Sequence, residues 1–191
     1  MTKAPFYELK TLDLKYNSIK DIEPIQRFPF KKLENLCLDN NCIENLEKLA
    51  NAPFNDLKSL SLVNNKINDI NVLSRVNFKN LTGLLLDNNQ ISNIEVFSKV
   101  PFTKLNTLCL RENSIVNLDV FINVPFNNLS ILHLNHNKIT DFKPLSFASF
   151  KKKLPFGHVT IYVDRYQKCS INSIRDGVDF KKLQDGGHQE N

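Results

Sequence analysis

The chain has 191 residues, 41% of them hydrophobic, with four cysteines, five glycines and 25 Lys or Arg against 20 Asp or Glu, a formal charge of +5. That length and apolar content suffice for one domain with a sizeable core and leave no room for a second, catalytic one; no run approaches the ~20 apolar residues of a membrane span. Residues 1–150 carry 17 basic against 15 acidic groups (+2) and residues 151–191 carry 8 against 5 (+3), so most of the chain lacks the basic stripe that a nucleic-acid partner requires.

Met1-Thr-Lys-Ala shows no signal-peptide core, which predicts a cytoplasmic chain unless the amino terminus is truncated. Phenylalanine then recurs every 24 residues at Phe6, Phe30, Phe54, Phe78, Phe102, Phe126 and Phe150, with proline before five of the first six. On the same ruler stand Leu9, Leu33, Leu57, Leu81, Leu105 and Leu129, then Leu12, Leu36, Leu60, Leu84, Leu108 and Leu132, and two residues further on Leu14, Leu38, Leu62, Leu86, Leu110 and Leu134. Apolar residues spaced by two in a short segment belong to one face of a strand. Asn17, Asn41, Asn65, Asn89, Asn113 and Asn137 follow, each with an isoleucine two residues later. An Asn offers both a donor and an acceptor to backbone groups that a turn leaves unpaired, so successive turns predict an asparagine ladder. Ile22, Leu46, Ile70, Ile94, Leu118 and Phe142, with a second apolar residue three positions on, predict short helical or 3-10 segments on the return path. One such unit is too small to offset its conformational entropy, so the units must stack into a continuous core.

The pattern FxxLxxLxLxxNxI resembles the leucine-rich repeat, LxxLxLxxNxL, over about residues 5–150. The 24-residue length is similar to the "typical" subclass, and the IxxIxxL return path is similar to the internalin and phosphatase-regulator types. The resemblance implies an α/β fold: a right-handed solenoid, or horseshoe, with a parallel β-sheet on the concave face and short helical or 3-10 segments on the convex face. In function it implies binding of another macromolecule.

The two ends depart from the pattern. The first coil begins at Pro5 with almost nothing before it to cover Leu12, Leu14 and Ile19, which reads as the end of a fragment, as a weak cap made by Tyr7 and its polar neighbours, or as an edge strand that associates with something. After the six repeats of residues 1–150, Val159, Ile161 and Val163 alternate with Thr160, Tyr162 and Asp164 as a strand should. Placing Val159 and Ile161 in the leucine slots puts Asp164 in the asparagine slot and implies about three inserted residues, at Lys151–Lys153. Residues 151–183 then read as a divergent seventh coil and cap, with Ile171, Ile174, Val178, Phe180 and Leu183 as the last apolar layer, and residues 184–191 as a polar tail.

Side chains alternating with the strand leucines point away from the core and form columns across the sheet. They read Asp13, Cys37, Ser61, Leu85, Cys109, His133; then Lys15, Asp39, Val63, Asp87, Arg111, Asn135; then Tyr16, Asn40, Asn64, Asn88, Glu112, His136. Their mixed chemistry, with Val63 and Leu85 as a small apolar centre, suits a protein interface. The candidate partner-binding residues are Tyr16, Asp39, Val63, Leu85, Asp87, Arg111, Glu112, His133, Asn135 and His136, weighted towards the later repeats. The bland alternative is a solvated sheet face with Asp87 and Arg111 as a weak cross-strand ion pair.

Catalysis and metal binding are not expected. Cys109 beside His133, with His136 nearby, lacks a third ligand at a convincing spacing, and an open sheet offers no water-excluded pocket. Five glycines make no phosphate cradle. Cys37 and Cys109 stand three strands, ~14 Å, apart, too far for a disulfide. The sequence therefore predicts a non-catalytic protein–protein interaction scaffold without cofactor. Alternatives are a regulatory subunit of an intracellular enzyme such as a phosphatase, or a secreted or surface recognition module if the chain is a fragment.

Overall fold

Each 24-residue period forms one coil. The computed structural model describes residues 6–148, 159–164 and 178–183. Its strands are β1 (Thr11–Asp13), β2 (Asn35–Cys37), β3 (Ser59–Ser61), β4 (Gly83–Leu85), β5 (Thr107–Cys109), β6 (Ile131–His133), β7 (Val159–Asp164) and β8 (Val178–Leu183). All pair in parallel, in chain order, in one eight-stranded sheet. The stack is a solenoid of like coils. Pairing is residue n with residue n+24 from β1 to β6, as in Leu60↔Leu84 and Leu84↔Leu108, so every coil presents the same face inward. The second strand leucine extends the ladder: Leu62 N–H donates to Leu85 O and Leu86 N–H to Cys109 O, both at 2.9 Å.

The return path begins with α1 (Glu23–Arg27) in the first coil and continues as 3-10 turns at Glu47–Asn51, Asn71–Ser74, Glu95–Ser98, Asp119–Asn123 and Lys143–Phe147. A period-24 signal outside the expected pattern starts them. Asp21, Asn45, Asp69, Asn93, Asn117 and Asp141 each accept the N–H two residues on, at 2.6–2.9 Å, which fixes the turn and satisfies an orphan donor. No helix among the described residues is long and apolar enough to cross a membrane.

The core runs the length of the stack. Phe54, Phe78, Phe102 and Phe126 are fully buried behind the sheet, and rings of adjacent coils meet, Phe54 and Phe78 at 6.1 Å between centroids. At the first edge the same positions lose their cover: Leu9, Leu12, Leu14 and Ile19 are only partly buried, and Phe6 is 44% exposed, with its ring edge-on to Phe28 and Phe30.

The repeated asparagines bridge coils in a way that differs from a side-chain ladder. Asn89 Oδ1 accepts Ile67 N–H at 3.0 Å, from the preceding coil, while Asn89 Nδ2 donates to Leu62 O, Leu86 O and Asp87 O at 2.9–3.2 Å. Asn41, Asn65 and Asn113 repeat the set and are buried. A true asparagine ladder exists one residue earlier: Asn64 Nδ2 donates to Asn40 Oδ1 at 2.8 Å, and Asn88 to Asn64. That column is left-handed throughout, with φ of 51–57° at Tyr16, Asn40, Asn64, Asn88, Glu112 and His136. Asparagine tolerates this backbone, whereas Tyr16, Glu112 and His136 hold it at a cost of order 1 kcal/mol each.

The seventh strand corrects the expected register. Leu132 pairs with Ile161 and His133 with Tyr162, so Ile161 and Val163, rather than Val159 and Ile161, take the leucine slots, and the spacing from Leu132 is 29 residues rather than 27. All three of Val159, Ile161 and Val163 are buried, so alternation alone could not choose between registers. Asp164 consequently falls in the column of Asp39 and Asp87, not in the asparagine slot. Both its carboxylate oxygens accept His136 N–H at 2.9 Å, the role that a backbone carbonyl plays for Glu112 N–H and its equivalents. Residues 178–183 add the strand β8, within the segment 151–183 read as a divergent seventh coil and cap. Lys151–Lys153, Ile171, Ile174 and residues 184–191 lie outside the described residues.

Candidate functional site

The face opposite the core is built from the positions that alternate with Leu36, Leu60, Leu84, Leu108 and Leu132. Short parallel strands in strict register set those side chains in rows at the inter-strand spacing of ~4.8 Å. Tyr16 stands at one end, 75% exposed. Asp39, Val63, Leu85 and Asp87 are half-buried, Arg111 and His136 exposed, and Glu112 and His133 half-buried. Asn135 differs from expectation: it is fully buried, and among the described residues neither side-chain atom has a hydrogen-bond partner. It is removed from the accessible face, and no sequence pattern distinguishes it from its column neighbours.

Two acidic residues of one column organise the face. Asp39 Oδ1 accepts Ser61 Oγ–H at 2.6 Å and Val63 N–H at 2.8 Å. Two coils on, Asp87 Oδ1 accepts Arg111 N–H at 2.7 Å, and the side chain equivalent to Ser61 is Cys109. The Arg111 guanidinium turns to Glu112 Oε1 at 2.5 Å, so the cross-strand Asp87–Arg111 ion pair is replaced by a main-chain hydrogen bond. His133 lies against the Tyr162 ring, 4.3 Å between centroids, and His136 Nδ1 is 3.3 Å from Asp164 Oδ1.

Asp87, Cys109 and His133 come together, with one ligating atom from each within 4.8 Å of the other two. Burial dominates their protonation. Desolvation pushes the Asp87 carboxyl up to about 6 and the Cys109 thiol up to about 12, and it lowers His133 with a smaller push from the Arg111 charge. Sequence reading paired Cys109 with His133 but missed Asp87 as the third donor. Asp87 belongs to a different column, and it reaches the pair diagonally, two residues beyond the register partner of Cys109. His136 is instead engaged by Asp164.

Comparisons agree with this architecture. The family model described as Leucine Rich repeats (2 copies) matches residues 8–51, and that described as Leucine Rich Repeat matches residues 128–150. An internalin from Listeria monocytogenes is similar, with a TM-score of 0.67 and 27% identity, over 94% of this chain and 51% of its own. Internalin C2 of the same organism has a TM-score of 0.55 and 26% identity, over 76% of this chain and 71% of its own. A Leptospira interrogans leucine-rich repeat protein shares the fold, with a TM-score of 0.57 and 20% identity, over 85% of this chain and 41% of its own. The chain thus spans about half the length of the first of these proteins. No curated protein matches it by sequence.

Proposed function

This chain is a leucine-rich repeat protein, and from that premise we propose that it is a non-catalytic scaffold that binds a protein partner through the concave face of its sheet. The carrying observation is the contrast within each coil. Core, turn and capping positions repeat every 24 residues, whereas the register-locked rows that face away from the core change chemistry at each step. Such a face is rigid before binding, which limits the ordering cost of association. Asp39, Val63, Leu85, Arg111, Glu112 and His136 supply an apolar middle flanked by charge, the composition of a modest interface. The half from coil four onward carries most of the recognition, since three sites of strain or unusual engagement, at Glu112, His136 and the Asp87 group, gather there. A phosphatase-regulator reading requires a contiguous aromatic and acidic stripe, and Tyr16 stands four coils from Glu112.

The test is enrichment of partners from the native source by the wild-type chain and by a combined Arg111→Ala, Glu112→Ala, His136→Ala variant with unchanged circular dichroism. Loss of a reproducible wild-type partner from the variant supports the reading. Equal recovery by the folded variant rejects this surface.

A further inference from the structure

Three potential ligands meet on the open face from three successive coils: the Asp87 carboxylate, the Cys109 thiol and the His133 imidazole, each with an atom within 4.8 Å of the others. We propose that Asp87, Cys109 and His133 form a site for a thiophilic divalent cation, zinc foremost, with three protein ligands and a fourth position open to the concave surface. The proposal is independent of any protein partner.

The donor set is one sulfur, one nitrogen and one oxygen. With bonds of ~2.3 Å to sulfur and ~2.0–2.2 Å to nitrogen and oxygen, a tetrahedral ion separates its ligand atoms by ~3.3–3.7 Å. The three atoms lie at most 4.8 Å from one another, an excess over that spacing of no more than about 1.5 Å, which side-chain torsions can close without moving strands. Charge also closes: a dication, a thiolate, a carboxylate and a neutral imidazole sum to zero, so the ion enters a desolvated place without leaving net charge. The thiol proton is released to solvent as the metal–sulfur bond forms. Thiolate and imidazole select zinc or cobalt over calcium and magnesium.

The surroundings are arranged for this. The Arg111 N–H holds Asp87 Oδ1 at 2.7 Å, leaving its other oxygen for the ion, as outer hydrogen bonds orient carboxylate ligands elsewhere. The Arg111 guanidinium is occupied by Glu112. Tyr162 backs the His133 ring. Among the described residues, neither the Cys109 thiol nor the His133 ring makes a side-chain hydrogen bond that would compete. The equivalent group two coils earlier shows the alternative: there Ser61 donates to Asp39 and the next residue along the row is Leu85, so nothing is left to bind a metal.

The experiment uses the tag-free, reduced, full-length chain titrated with cobalt(II) and followed by absorption. The expected result is a thiolate-to-cobalt charge-transfer band in the near ultraviolet with intense visible bands of tetrahedral cobalt, saturating at one ion per chain and bleached by zinc. Cys109→Ser abolishes the charge-transfer band; His133→Gln and Asp87→Asn weaken zinc binding by roughly ten-fold or more. Cys37→Ser, on the same face, changes nothing. No band in the wild type, a band that survives Cys109→Ser, or one lost with Cys37→Ser overturns the proposal. Should Cys109→Ser fail to fold, His133→Gln decides: unaltered zinc affinity in that folded variant overturns it equally.

Discussion

The Asp39 and Asp87 neighbourhoods are two copies of one backbone device with different outcomes. Each aspartate sits two residues beyond a strand and accepts the main-chain N–H of the next coil, from Val63 at 2.8 Å and from Arg111 at 2.7 Å. Around Asp39 the Ser61 hydroxyl completes the carboxylate's shell at 2.6 Å. Around Asp87 that place is taken by a buried thiol, and His133 replaces what would be a further aliphatic neighbour. Two side-chain changes thus convert a satisfied hydrogen-bonded group into a desolvated cluster of ligands. The repeat supplies geometry, and the unrepeated residues decide whether it becomes a support or a site.

The largest effects test whether the two neighbourhoods share one frame. Asn65→Ala and Asn89→Ala each leave buried backbone groups unpaired and should cost about 2–3 kcal/mol in denaturant unfolding, whereas Asn17→Ala, at an exposed turn with fewer bonds, costs well under half of that. Clearly unequal losses at Asn65 and Asn89 would break the equivalence. A comparable but pH-dependent effect is specific to Asp87. Its folded pKa, about 6, lies above the ordinary 3.8, so the folded chain binds a proton more tightly than the unfolded one. Metal-free stability should therefore fall as pH rises from about 4 through about 6, by up to about 2–3 kcal/mol. Asp87→Asn flattens that dependence, as thermal unfolding across this range will show.

Smaller effects refine the contrast. Cys109→Ser gives Asp87 the hydroxyl that Ser61 gives Asp39, so the metal-free variant should lie within about 1 kcal/mol of wild type; a much larger loss would mean that thiol packing, not polarity, separates the two places. Glu112→Asn places at φ 52° the residue type already used at Asn64 and Asn88 and should gain about 0.5–1 kcal/mol in chemical denaturation. No gain would show that the turn around Glu112 carries no strain.

The coil was legible because its determinants are local and repeated. Leu84, Phe102 and Asn89 recur at one spacing, and burying them requires that equal spacings stack. The seventh register was not, since Val159, Ile161 and Val163 fit the core equally well by type, and only pairing of Leu132 with Ile161 chose between slots. The burial of Asn135 and the left-handed backbone at Tyr16 and Glu112 were also hidden, because these residue types do not announce either state.

By itself, then, the sequence determined a stack of 24-residue coils, their inward and outward faces, and the rows from which any recognition must be drawn. Tertiary structure alone decided which members of those rows meet. Asp87 and His133 are 46 residues apart in two different columns, and they converge on Cys109 only because parallel strands in register turn a separation of one coil into one inter-strand step.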